Sequence, residues 1–123
     1  MQGWLKVNKA QEQPPHRKVR VLDLDDVPDG EARRVEVEGH KIAVVRIGED
    51  LFAIGDMCSH ANYSLSEGPV DPEEVTIECW KHGAQFSLCD GIPVSLPATQ
   101  PVPVFKIERI ENSIYIHIPE GSE

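Results

Sequence analysis

The sequence predicts an all-β domain, a sandwich or barrel of short antiparallel strands. Two observations predict it. Apolar and polar residues alternate in short runs separated by clusters of Gly, Pro, Asp, Asn and Glu, the pattern of half-buried strands and their turns. No stretch carries a convincing 3.6-residue period beyond a single turn near Asp71–Glu74. At 123 residues the chain has room for one domain with its own core, and 27% charged with 40% hydrophobic residues is ordinary globular composition.

Taken in order, residues 1–18 read as a flexible N-terminal arm and residues 19–123 as the domain. Gln, Lys, Asn and Pro14-Pro15 dominate the arm. Residues 1–20 hold five Lys/Arg against Glu12 alone, so a basic arm precedes an acidic body. From Lys18 to Leu24 the chain alternates, and Asp25-Asp26-Val27-Pro28-Asp29-Gly30 is turn chemistry. Strands at Arg33–Val37 and Lys41–Ile47 flank the hairpin signal Glu38-Gly39-His40. Gly48-Glu49-Asp50 then turns into Leu51–Ile54. Val75–Glu78 and Gln85–Ser87 follow, with a tight turn at Asp90-Gly91. Val102–Ile110 and Ser113–Ile118 form a closing hairpin around Glu111-Asn112.

The chemistry is concentrated in two short stretches. Cys58-Ser59-His60 is a C-x-H pair, and Cys79-Trp80-Lys81-His82 is a C-x-x-H pair. Each pair puts one Cys and one His on one loop, and the long gap between pairs requires two loops to meet. Four such ligands suit zinc by number. Structural zinc sites, however, usually group like ligands, C-x₂₋₄-C then H-x₃₋₅-H, whereas each loop here mixes them. Mixing suits a two-iron cluster, because each loop can give its Cys to one iron and its His to the other.

The runs C-S-H-A-N-Y-S-L-S-E-G from Cys58 and C-W-K-H-G-A-Q-F-S-L-C-D-G from Cys79 closely resemble the two cluster loops of Rieske-type [2Fe–2S] ferredoxins. The resemblance spans about Val19 to Ile118 and is closest to the ferredoxin components of bacterial multicomponent aromatic-ring (non-heme iron) oxygenases. It implies one [2Fe–2S] cluster with Cys58 and Cys79 on a buried iron and His60 and His82 on the outer one. It also implies a β-sandwich or barrel base carrying an inserted cluster-binding subdomain, here about residues 57–97. The implied function is that of a soluble one-electron carrier between an NAD(P)H-dependent flavin reductase and a terminal oxygenase, itself no enzyme. Competing readings are a small subunit of a nitrite-reductase-like complex, an accessory to iron–sulfur assembly, or a zinc-stabilised interaction module.

Departures from the high-potential respiratory pattern bear on the potential. Those proteins bridge the loops with a disulfide where this chain has Tyr63 and Trp80, and place Ser and Tyr hydroxyls where it has Ala84 and Phe86. Without those donors the resemblance implies a potential near the bottom of the Rieske range, about −150 mV. Oxygenase ferredoxins usually read C-P-x-H in the second loop, and the Trp80-Lys81 pair departs from that.

The formal charge of −9 argues against a nucleic-acid partner, since a phosphate backbone would repel it. No apolar run approaches membrane-spanning length, and three Cys are too few for a disulfide scaffold once two bind metal. A cytoplasmic monomer is expected. Among the remaining candidates, Cys89 reads as a buried packing thiol. Trp80 reads as a docking anchor or a lid, and Lys81 as a steering or solvating charge. His40 and His117 read as structural, and Asp71, Glu73 and Glu74 as a solvated turn.

Overall fold

The computed structural model describes residues 16–58, 63–81, 83–96 and 100–119. Among these, nine strands form three antiparallel sheets of three. The first, ordered β1-β9-β8, comprises β1 (His16–Asp23), β9 (Ser113–Pro119) and β8 (Ile107–Ile110). The second is the meander β2 (Ala32–Val37), β3 (His40–Ile47) and β4 (Asp50–Gly55). The third consists of β5 (Val70–Asp71), β6 (Thr76–Glu78) and β7 (Gln85–Ser87), all within residues 57–97. Single 3-10 turns occupy Leu24–Asp26 and Leu65–Glu67. The all-β architecture is therefore the one expected.

The β2-β3-β4 sheet is the middle layer. Strand β3 runs Ile42-Ala43-Val44-Val45, and all four residues are fully buried. Alternation sends Ile42 and Val44 into a core shared with Ile114, Ile116 and Ile118 of β9. Ala43 and Val45 enter a second core with Leu65, Ile77, Phe86, Leu88 and both Cys58 and Cys79. A continuous apolar run is what a strand buried on both faces requires. The site is thus built on a layer that the rest of the fold packs from behind.

Two boundaries differ from expectation. The strand expected over Val102–Ile110 is a β-strand only from Ile107. Pro101 and Pro103 have no N–H to give a ladder, so residues 102–105 follow β4 through separate bonds. Gly55 N–H donates to Pro103 C=O and Phe105 N–H to Ala53 C=O, both at 2.8 Å, and Val104 bridges Ile54. At the other end, β1 begins at His16, inside the stretch expected as arm, and pairs with β9 through His16↔Pro119. Residues 1–15 lie outside the described residues.

Candidate cluster-binding site

The two cysteine loops are built alike. In the first, the chain leaves β4 at Gly55, Met57 bridges Ser64, and Cys58 N–H donates to Tyr63 C=O at 2.9 Å. In the second, β6 and β7 form a ribbon pairing Glu78 with Gln85, and Cys79 N–H donates to Ala84 C=O at 2.7 Å. Each loop is therefore closed by a bond from its cysteine amide to the carbonyl five residues on. Inside the second loop Gly83 N–H also reaches Cys79 C=O at 2.9 Å, with Gly83 at φ +78°, a conformation glycine adopts without strain.

The loops abut through their main chains. Glu78 N–H donates to Pro69 C=O at 3.0 Å. A Cβ on Gly68 would collide with the Glu78 carbonyl oxygen and lie 3.3 Å from the Trp80 amide nitrogen. Only glycine permits this approach. Both cysteines end in the same apolar cluster, Cys79 fully buried and Cys58 nearly so. Leu65, Ile77, Ala84, Phe86, Leu88 and Val102 belong to that cluster too, with Tyr63 packed against it.

Above the cysteines an aromatic contact spans the loops. Tyr63 of the first and Trp80 of the second meet edge to face, ring centroids 5.2 Å apart at 80°. The Lys81 ammonium stands 5.7 Å from the Tyr63 centroid and 5.9 Å from that of Trp80. Trp80 remains 47% exposed, so its ring both covers the neighbouring loop and faces solvent.

Of the four expected ligands, the structure brings Cys58 and Cys79 into one cluster; His60 and His82 lie outside the described residues. Among the described residues no group of three or more His, Cys, Asp or Glu gathers as a metal site. The donor chemistry nevertheless fits a two-iron group. Two buried thiols on facing loops match the iron that needs charge neutralisation, and both loops carry their His nearer the tip in sequence.

One reading is corrected. Cys89 is exposed, not packed. Phe86 and Leu88 are both inward and fully buried, so alternation turns Cys89 outward, where its N–H meets Ser87 Oγ at 3.2 Å. His40 packs edge-on against Phe105 at 5.6 Å, and His117 Nε2 lies 3.0 Å from Glu108 Oε1. Asp71 Oδ1 accepts the amides of Glu73 and Glu74, which makes that acidic run a turn. Sequence reasoning missed Asp56, whose only signal was an acid closing an apolar strand just before Cys58.

Comparison with known proteins bears on the same residues. The Rieske [2Fe-2S] domain matches residues 17–106. The chain belongs to the Rieske family. The 3-phenylpropionate/cinnamic acid dioxygenase ferredoxin subunit of Escherichia coli (strain K12) is 40% identical over 104 residues, 85% of this chain and 96% of that protein. Among solved structures, the ferredoxin of carbazole 1,9a-dioxygenase from Nocardioides aromaticivorans IC177 superposes with a TM-score of 0.80 at 33% identity. It covers 84% of this chain and 98% of its own. A ferredoxin in a complex of reduced oxygenase and oxidized ferredoxin of carbazole 1,9a-dioxygenase gives 0.76 at 37%, covering 86% and 97%. This Rieske protein accordingly carries one Rieske-type [2Fe–2S] cluster and acts as an electron carrier, not a catalyst. Among its described residues no helix is long and apolar enough to cross a membrane.

Proposed function

We propose that this Rieske protein is a soluble, low-potential, cytoplasmic ferredoxin. In this reading it works as a monomer, taking single electrons from an NAD(P)H-dependent flavin reductase and passing them to a terminal non-heme iron oxygenase acting on aromatic compounds. The observation that carries it is the pair of matched loops, each closed by its own cysteine amide and both delivering a buried cysteine to one apolar cluster. The relatives named as ferredoxins of aromatic dioxygenases support the choice of partner.

In this reading Cys58 and Cys79 hold the inner iron and His60 and His82 the outer one. The cluster supplies a single one-electron couple. The protein does the rest. The walls of Leu65, Ile77, Phe86 and Leu88 exclude water from the thiolate side. Ala84 and Phe86, both fully buried, offer no hydroxyl there, which keeps the potential low. Trp80 and Lys81, which precede His82 in sequence, present an apolar ring and a cation where a partner would dock.

The test is spectroscopic. Purified protein should be coloured and, once reduced with dithionite, show the electron paramagnetic resonance of a mixed thiolate–imidazole two-iron cluster. Cys58→Ser or Cys79→Ser should abolish it. His60→Cys or His82→Cys, where still assembled, should lower the midpoint, because a thiolate adds negative charge at the iron that accepts the electron. A colourless zinc protein, or a midpoint unmoved by both His changes, would refute the assignment.

A further inference from the structure

Asp56 is a buried carboxylate with no role so far. It follows β4, two residues before Cys58, and is 1% exposed. Its Oδ1 accepts the Ser66 N–H at 2.8 Å, and its Oδ2 accepts the Ser64 hydroxyl. The two serine hydroxyls are themselves 2.8 Å apart. Arg34 on β2 brings its Nε to 3.6 Å from Oδ2. The main chain repeats the grip, since Asp56 C=O accepts Leu65 N–H at 2.6 Å and Asp56 N–H donates to Lys41 C=O at 2.9 Å. One residue thus ties the returning limb of the first loop, Ser64 to Ser66, to the middle sheet. Each of these carboxylate partners is a donor or a cation, the set an ionised carboxylate accepts.

We propose that Asp56 is a positioning residue for the first ligand loop, and that the opposed charges of Asp56 and Arg34 set the reduction potential of the site. The inference rests on the reading of Cys58 as a ligand. In that reading, reduction would add one negative charge to the cluster that Cys58 helps to hold. A buried carboxylate two residues away opposes that charge through a medium that screens it poorly, and so lowers the potential. The Arg34 guanidinium offsets the carboxylate and raises it. Arg34 is 44% exposed, so solvent weakens its share and the Asp56 effect dominates. A purely structural clasp makes no such distinction of sign: loosening the loop from either side would move the potential the same way or leave it alone.

The experiment is protein-film voltammetry on the full-length holoprotein and on Asp56→Asn, Arg34→Gln and the double variant, with visible circular dichroism confirming a native cluster in each. Asn keeps the shape and an acceptor for Ser66 N–H. Asp56→Asn should bind the electron about tenfold more tightly, ~59 mV upward by the one-electron constant. Arg34→Gln should shift downward by less, and the double variant should fall between them. Asp56→Ala should also speed deuterium exchange over residues 63–68, read by mass spectrometry. Shifts of one sign, or none in a variant of native spectrum, overturn the electrostatic role. Unchanged exchange in Asp56→Ala overturns the positioning role. A parent without the Rieske spectrum removes the ligand assignment, and this inference with it; a parent with that spectrum whose variants do not split sinks this inference alone.

Discussion

Ala84 and Phe86 illustrate how much a site is defined by groups it withholds. Both lie fully buried in the same cluster as the two cysteines, and neither side chain has a donor. Ala84→Ser with Phe86→Tyr should therefore raise the midpoint by about 40 mV per hydroxyl, if each new bond favours the reduced state by about 1 kcal/mol. Voltammetry checks the shift, and a crystal structure checks that each hydroxyl reaches sulfur. An unmoved midpoint with both bonds in place would show that donors do not control this potential. At this scale the sequence was most legible for the cysteines, because metal ligands come as residue types at fixed spacing. Asp56 was illegible, because a buried acid looks like any other acid until its partners, twenty-two residues before it and eight to ten after, are brought together.

Strands were readable where burial imposes a period and obscure where backbone chemistry intervenes. The Ile42–Val45 run announced a strand buried on both faces, and the Glu38-Gly39 turn fixed its hairpin with Val37↔His40 as the last pair. Two-residue β5 has no period to read, and the prolines broke the long strand expected before Ile107. The β8–β9 hairpin also carries a pH-dependent contact. Glu108 lies on β8 and its carboxyl is held below the ordinary 4.5, chiefly by the hydrogen bond to His117, with Lys18 adding a favourable charge. A lowered carboxyl pKa adds stability at pH above the ordinary value, and that share is lost as pH falls through the lowered one. Glu108→Gln should thus narrow the stability gap between pH 6 and pH 3 in urea titrations. The change should be small, since the carboxylate is partly exposed. A variant whose acid sensitivity matches the parent would show that the contact carries no linkage.

At the scale of the whole molecule, the two loops meet through a close approach of main chains at Gly68 and Glu78. Gly68→Ala would drive a methyl into the Glu78 carbonyl, a backbone atom with no rotamer to yield. We expect this change to cost about 3 kcal/mol and to lower cluster content, because the loops must part to admit it. Thermal unfolding and iron analysis would check it; a variant with parental melting and full iron would show that the approach is dispensable. The same change at Gly39, where a Cβ meets nothing within 4 Å, should leave cluster content untouched while straining only its turn.

The bonds that close the two loops show what the polypeptide itself contributes to the cysteine site. Cys58 to Tyr63, Cys79 to Ala84 and Glu78 to Pro69 are all amide-to-carbonyl contacts, and they use no metal. The apolar floor under the cysteines is likewise shared with the middle sheet. Small zinc domains gain their fold from the metal, so their folding and loading are one transition. Here the cysteine-bearing feet of both loops are held by the polypeptide's own hydrogen bonds. The framework beneath the cysteines is thus drawn from the polypeptide's own amides and apolar side chains.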